Sequence, residues 1–135
     1  MKHKPVLARD DVARILERSR AEAQANHWAV TIAIVDDGGH PLALERLDGA
    51  SPASAYIATE KARTSALGRR ASGDYEEMIK AGRNAFLSAP LTAMLEGGLP
   101  IVVDGQVVGA VGVSGVKSNQ DAQVASAGIS SLAAG

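Results

Sequence analysis

Cysteine is absent from this chain of 135 residues, and aromatic residues make up only 3% of it. Without thiolates the chain can form no disulfides, iron–sulfur clusters, thiolate zinc sites or covalently attached c-type haem. Any metal or cofactor must therefore be held by histidine, carboxylate, tyrosine, methionine, hydroxyl or backbone groups. Because large side chains are scarce, each residue can bury little apolar area. Burial of further surface between subunits would compensate, so we expect a homo-oligomer.

A strong net charge and long apolar runs are lacking too. The formal net charge is −1, and it creates no field that would attract nucleic acid or an anionic membrane. No stretch approaches the ~20 apolar residues of a membrane span, and the basic N-terminus lacks the apolar core of a secretory signal. We expect a cytoplasmic protein that binds neither nucleic acid nor membranes, folded as one domain over residues 1–135.

Two glycine turns, one at residues 36–40 and one at Asp104-Gly105, each join apolar runs that are typical of strands. Apolar residues at helical spacing predict helices around these hairpins. Predicted helices cover about residues 10–26, 51–68, 74–82 (capped by Asp74) and 118–132, and residues 91–96 fit one or two helical turns. This order predicts an α+β domain in which the hairpins merge into one antiparallel sheet of four or five strands, with helices on its faces.

Two long segments carry a family resemblance. IAIVDDGGHPLALERLDGASPASAYIATEKARTSAL resembles the opening of GlcG/HbpS-type domains, also called haem-degrading domains, and GGLPIVVDGQVVGAVGVSGVKSNQDAQVASAG resembles their later part. The domain also occurs at the C-terminal end of PduO-type corrinoid adenosyltransferases. The resemblance implies a profilin-like α/β/α sandwich around a five-stranded antiparallel sheet, assembled into dimers and larger oligomers up to octamers. The chain differs from the family pattern between Gly68 and Ala89.

The resemblance also implies a function. Some members of the family bind haem, and others accompany glycolate, propanediol or aromatic-acid catabolism. A secreted member carries a Glu-x-x-Glu motif associated with iron binding, which this chain lacks.

His40, at the exit of the first turn, is the sharpest candidate for a metal, cofactor or catalytic residue. An imidazole at this position can ligate haem iron or move protons near neutral pH. The alternative is a partly exposed histidine that is hydrogen-bonded to the carboxylate of Asp36 or Asp37.

Two cations accompany this histidine in the predicted site. Arg46 shares the strand face of His40 and can bind a haem propionate or the carboxylate of a small acid; the alternative is a salt bridge to Asp48 or Glu60. Lys61 can bind an anion or, if desolvated, act as a base; the alternative is a solvated helix face.

Ser114 and Gly115 precede the start of the last helix. Backbone N–H groups and the helix dipole can hold a carboxylate or phosphate at such a place. The alternative is an ordinary strand-to-helix turn.

Three functions stay open at this point. The first is a haem- or tetrapyrrole-binding protein with His40 as axial ligand, motivated chiefly by the resemblance. The second is a cofactor-free enzyme (a tautomerase, hydratase or hydrolase) for a small organic acid, in which Arg46 or Lys61 holds the carboxylate and His40 or Asp37 moves a proton. The third is a structural or accessory subunit.

Overall fold

A computed structural model describes residues 1–133 of the chain. Its helices are α1 (Arg9–Ala25), α2 (Pro52–Gly68), α3 (Ser72–Lys80) and α4 (Ser118–Ala133), with a 3-10 helix at Asn84–Ser88. Its strands are β1 (Thr31–Asp36), β2 (Pro41–Arg46), β3 (Gly98–Val103) and β4 (Gln106–Ser114). Among these residues, no helix combines the length and the apolar character that crossing a membrane requires.

The four strands form one antiparallel sheet in the order β2-β1-β4-β3. The two central strands are mostly apolar because both of their faces are covered. Asp104 and Gly105 have φ angles of 52° and 74°, the left-handed pair that a two-residue hairpin turn with the twist of its strands needs. Both predicted hairpins and the α+β class are confirmed.

The expectation of five strands is wrong, since the sheet over residues 1–133 has four. Each hairpin contributes two strands, and no third segment extends an edge. The stretch between the 3-10 helix and β3 is irregular instead. It contains Pro90, which has no backbone N–H to donate to a neighbouring strand.

Helices cover both faces of the sheet. Isoleucines and valines of β1 and β4 pack against α1 and α4 on one face, with Ile32, Ile34, Val111 and Val124 all fully buried. The apolar cluster between the other face and α2 consists of five alanines and one valine: Ala33, Val35, Ala58, Ala62, Ala66 and Ala110. Small side chains let this helix lie close to the sheet, and the predicted layered α/β/α arrangement follows.

The segment after α2 differs from the helices that the sequence predicts for it. α3 begins at Ser72 and not after Asp74, because the Ser72 hydroxyl accepts the N–H of Gly98 at 2.8 Å and ties the helix start to β3. Residues 91–96 form no helical turn, and the short 3-10 helix lies before them.

Candidate functional site

The side chain of Asp36 builds the turn between β1 and β2. Its Oδ1 accepts the backbone N–H of Gly38 at 2.9 Å and that of His40 at 3.0 Å. The N–H of Asp36 donates to the carbonyl oxygen of His40 at 2.9 Å. Gly39 has a φ of +80°, which favours glycine. The local sequence Asp-Asp-Gly-Gly-His therefore fixes the point at which His40 leaves the turn.

The same carboxylate holds the imidazole of His40. Nδ1 lies 3.0 Å from Asp36 Oδ1, while the His40 side chain is 78% exposed. Burial raises the pKa of Asp36, but the hydrogen bonds from the backbone N–H groups of His40 and Gly38 and from the imidazole lower it, and the pKa lies below its ordinary value. An ionised carboxylate can only accept hydrogen bonds, so Nδ1 of His40 carries the proton in this contact. Nε2, which bonds to no residue within 1–133, is left to bind another group.

Asp37 is engaged elsewhere. Its carboxylate pairs with Lys4, and Arg69 donates to its carbonyl oxygen. The hydrogen bond from Lys4 lowers the pKa of Asp37 against the opposing effect of burial. Of the two carboxylates expected beside His40, Asp36 therefore holds the imidazole, and Asp37 anchors the N-terminal segment to the turn.

Exposed apolar side chains follow His40 along β2. Leu42 and Leu44 are 42% and 50% exposed. The edge strand β2 therefore exposes two leucines within four residues of the histidine.

The register of β2 shifts by one residue at Leu42, since Val35 pairs with Pro41 and Ile34 with Ala43. Leu44 and Arg46 therefore lie on the strand face of Pro41 and not on that of His40, so the expectation that Arg46 shares the strand face of His40 is wrong.

Side chains of α2 border the turn and strand β2. Arg63 lies against the turn, since a Cβ placed on Gly39 would be 2.8 Å from Arg63 Cγ. Tyr56 precedes Arg63 by two helical turns on the same side of α2 and is 78% exposed. We call the following set the His40 face: His40, Leu42, Leu44, Tyr56 and Arg63.

Arg46 lies at the far end of β2 from His40. Six residues at ~3.3 Å per residue separate the two by about 20 Å. Arg46 forms no salt bridge with any residue in 1–133. Glu60 instead accepts a hydrogen bond from Thr92 at 2.5 Å and lies 3.9 Å from Arg63. Both pairings expected for Arg46 are therefore wrong, and the residue borders an open cleft.

Lys61 is buried, so the expectation of a solvated helix face is wrong. Its Nζ donates to the carbonyl oxygen of Val113 at 3.0 Å and to Oδ2 of Asp121 at 3.1 Å, and both charged side chains are 4% exposed. Burial raises the pKa of Asp121, although the charge of Lys61 works against this rise. The pair joins α2 on one face of the sheet to α4 on the other.

A protein carboxylate fills the predicted anion site after β4. Oδ1 of Asp121 accepts the N–H of Val116 at 3.1 Å. Ser114 is 7% exposed, and a Cβ placed on Gly115 would lie 2.5 Å from the carbonyl oxygen of Ala29. The geometry matches an ordinary strand-to-helix turn with close backbone packing.

The predicted site residues are spread over three places: His40 and Asp37 at the β1–β2 turn, Arg46, Ser114 and Gly115 at the opposite end of the sheet, and Lys61 in the interior. Arg46 and Ser114 share an end because both pair with Thr31 of β1. This separation does not favour the cofactor-free enzyme, which needs its acid–base and carboxylate-binding groups in one pocket. Within residues 1–133 no group of three His, Cys, Asp or Glu side chains can hold a metal ion.

Asp121, the ionic partner of Lys61, was missed from the sequence. A signal was present, because Asp121 falls on the same helical stripe as Ala125 and Ile129. A carboxylate on an apolar stripe is buried and needs a buried cation.

The fold and site define an α+β sandwich with an exposed, carboxylate-bound histidine at the end of its edge hairpin. The model of the family described as haem-degrading protein HbpS-like matches residues 7–130. The chain belongs to this HbpS-like family. It is 56% identical over 114 residues to protein GlcG of Escherichia coli K12, a match that covers 84% of this chain and 85% of GlcG.

Solved structures share the fold over nearly the whole chain. Protein ORFY of Klebsiella pneumoniae superposes with a TM-score of 0.91 at 25% identity, covering 99% of this chain and 95% of ORFY. HbpS gives a TM-score of 0.88 at 27% identity, with 98% and 94% covered. The PduOC:haem complex gives 0.84 at 23% identity, with 94% and 95% covered; at this identity the likeness concerns the fold.

Proposed function

We propose that this protein binds haem and that His40 is the ligand of the haem iron. Membership of the HbpS-like family, whose description is haem-degrading, supports this function, and PduOC, which shares the fold, is known in complex with haem. The observation that carries the proposal is the geometry of His40. Its Nδ1 is bound to Asp36 and its side chain is 78% exposed.

Metal-binding histidines commonly donate their second ring N–H to a carboxylate. That hydrogen bond selects the tautomer with a free Nε2 lone pair, orients the ring and raises the basicity of the ligating nitrogen. Asp36 supplies this contact to His40 before any ligand arrives. The imidazole therefore needs no rearrangement to bind an iron atom through Nε2.

The rest of the His40 face suits a porphyrin. Leu42, two residues after His40, and Leu44 are exposed apolar side chains of the same edge strand, and exposed apolar patches mark contact sites. Tyr56 adds an exposed aromatic ring on the neighbouring helix. Arg63 can form charge-assisted hydrogen bonds with a propionate.

The face is open on its outer side, so one copy of the chain covers only one side of a porphyrin. A second copy placed over β2 would cover the other. We therefore propose that haem binds where two subunits of a homo-oligomer meet, in an assembly from dimer to octamer. Bound haem would supply a redox-active iron, and the residues of this chain bind and orient it.

Titration of the apo-protein with hemin, followed at the Soret band, tests the proposal. We expect a saturable Soret shift that His40→Ala abolishes or weakens at least about tenfold. His3→Ala is the matched control, since only the backbone carbonyl of His3 is engaged, by Gln106. No Soret shift with the unaltered protein would overturn haem binding, and an unchanged spectrum and affinity in His40→Ala would overturn the ligand assignment.

A second pair of variants tests the apolar part of the face. Leu42→Ser removes a 42% exposed leucine two residues after His40 in β2, and Val102→Ser removes a 54% exposed valine from the opposite edge strand β3. We expect hemin affinity to fall severalfold for the first variant alone, because about 0.8 kcal/mol accompanies each buried CH₂ group. Equal affinities for the two variants would argue against this face.

A further inference from the structure

Two arginines, one on α2 and one at its C-terminal end, contact the turn between β1 and β2. Arg63 lies against Gly39, because a Cβ placed on this glycine would be 2.8 Å from Arg63 Cγ. Arg69 donates from Nη1 to the carbonyl oxygen of Asp37. The two side chains therefore contact the residues before and after Gly38. We call Arg63 and Arg69 the arginine pair.

The imidazole of His40 lies over Gly38, between these two contacts. A Cβ placed on Gly38 would be 2.8 Å from Cε1 of His40. Cε1 is bonded to Nε2, the nitrogen that is left to bind iron. Three consecutive residues of one turn, 37–39, thus contact the proposed iron ligand and both arginines. A porphyrin bound through Nε2 is therefore placed near two cationic side chains.

Arg69 presents an open edge of its guanidinium. Its Nη1 also donates to the carbonyl oxygen of Ala66 at 2.7 Å, so two backbone carbonyls fix the orientation of the group. Nε and Nη2 donate to no residue within 1–133. The same two nitrogens of Arg20 hold the carboxylate of Glu45, and this edge of a guanidinium binds a carboxylate in a bidentate way.

Arg63 is available to a ligand as well. Its side chain is 56% exposed, and its salt-bridge partner within 1–133, Glu60, lies 3.9 Å away. The carboxylate of Glu60 also accepts the hydroxyl of Thr92 at 2.5 Å. Arg63 is therefore held only weakly by its own helix.

The carboxylates of the turn are already engaged. Asp36 holds the imidazole of His40, and Asp37 pairs with Lys4. The arginine pair can therefore take up anionic groups of a ligand next to the histidine.

We propose that Arg63 and Arg69 each bind one propionate of the porphyrin, so that the site selects tetrapyrroles with two free carboxylates. This inference rests on the proposed haem site and adds what decides which tetrapyrroles bind there. An esterified propionate carries no charge, so it loses the charge-assisted part of both contacts. Esterified porphyrins should therefore bind weakly, whether or not they hold iron.

Iron-free protoporphyrin IX tests the arginine pair apart from iron ligation, because it keeps both propionates and has no metal for His40. The fluorescence of the porphyrin measures its binding. We expect saturable binding of the free acid and binding of its dimethyl ester that is weaker by at least about tenfold. Absence of binding by the free acid, or equal affinities of acid and ester, would overturn the proposal.

Arg69→Gln is the matching variant, with Arg70→Gln as its control. Arg70 is the next residue, but it pairs with Asp74 at 3.3 Å and lies over the ring of Tyr75. We expect protoporphyrin IX to bind Arg63→Gln and Arg69→Gln at least about fivefold more weakly, and Arg70→Gln as tightly as the unaltered protein. Circular dichroism verifies that the variants are folded. Unchanged affinity in either Arg63→Gln or Arg69→Gln would overturn the assignment of two propionates to the pair.

Hemin distinguishes failure of this inference from failure of haem binding. Its affinity should fall in Arg63→Gln and Arg69→Gln and stay unaltered in Arg70→Gln. A saturable Soret shift with the same affinity in all three variants would overturn the arginine pair and leave haem binding through His40 untouched. A missing Soret shift in the unaltered protein would overturn haem binding itself.

Discussion

Asp36 and His40 are joined through both backbone and side chain. Oδ1 of Asp36 lies 3.0 Å from the backbone nitrogen of His40 and 3.0 Å from its Nδ1, and the N–H of Asp36 donates to the His40 carbonyl at 2.9 Å. One carboxylate therefore sets the shape of the turn and the orientation of the imidazole. Any chemistry of His40 depends on Asp36.

Asp36→Asn separates these two roles. Asparagine keeps an oxygen acceptor for the N–H groups of Gly38 and His40 but carries no charge to hold the imidazole tautomer. We expect hemin to bind this variant about 10–100-fold more weakly, the usual effect of losing the carboxylate behind a metal-binding histidine. Soret titration measures the affinity. An unchanged affinity would contradict the orienting role of the charge.

Asp36→Ala is the companion variant, because it removes the acceptor as well. Loss of the two backbone contacts should lower the free energy of unfolding by about 1–2 kcal/mol, while Asp36→Asn should stay near the unaltered value. Urea unfolding at neutral pH measures both. Equal stability of the two variants would show that the turn does not need the side-chain oxygen.

The ion pair between Lys4 and Asp37 should make the stability of the fold depend on pH in the acidic range. The pKa of Asp37 in the folded protein lies below its ordinary value of 3.8. The ionised form therefore stabilises the fold above this value, and the contribution disappears as the pH falls through the lower pKa of the folded state. Both groups are more than a third exposed, so the contribution is at most about 1 kcal/mol.

Asp37→Asn should accordingly be less stable than the unaltered protein at pH 7 and equally stable near pH 2. Lys4→Met removes the other partner and should show the same difference. The double variant should lose no more than either single one. Urea unfolding at several pH values measures these differences, and a difference that persists undiminished at pH 2 would exclude the ion pair as its source.

The buried pair of Lys61 and Asp121 leads to the largest predicted effect of a charge. Lys61→Met or Asp121→Asn leaves the charge of the other residue unpaired in a site where both side chains are 4% exposed. Each single substitution should lower the free energy of unfolding by about 3–5 kcal/mol, because an uncompensated buried charge remains. The double variant Lys61→Met, Asp121→Asn should recover much of this loss. A double-mutant cycle from urea unfolding measures the coupling, and additive losses would contradict it.

Both hairpins could be predicted because their signals are local. A β-branched run, a glycine turn and a second run determine a hairpin by themselves. The number of strands depends on whether a further segment pairs with an edge, and that decision is not local. The five-strand expectation was accordingly the part of the fold that proved wrong.

The candidate site was predicted only in part for a related reason. Alternation predicts that His40 and Arg46 share a strand face, but the register shift at Leu42 places them on opposite faces. They also stand about 20 Å apart along β2. The burial of Lys61 depends on Asp121, which lies 60 residues later and on the opposite side of the sheet. Contacts of this kind form when helices pack on opposite faces of a sheet, and no local sequence pattern predicts them.

Gly112 of β4 lies against the backbone of α2. A Cβ placed on Gly112 would lie 2.1 Å from the carbonyl oxygen of Ala58 and 2.5 Å from the nitrogen of Ala62. Gly112→Ala must therefore push α2 away from the sheet, and we expect a loss of at least about 3 kcal/mol in the free energy of unfolding. Gly105→Ala is the control, since its Cβ meets no atom within 4 Å and only the positive φ of 74° opposes alanine. It should cost about 1–2 kcal/mol. Urea unfolding ranks the two, and a Gly112→Ala protein as stable as Gly105→Ala would disprove the close packing of α2 on β4.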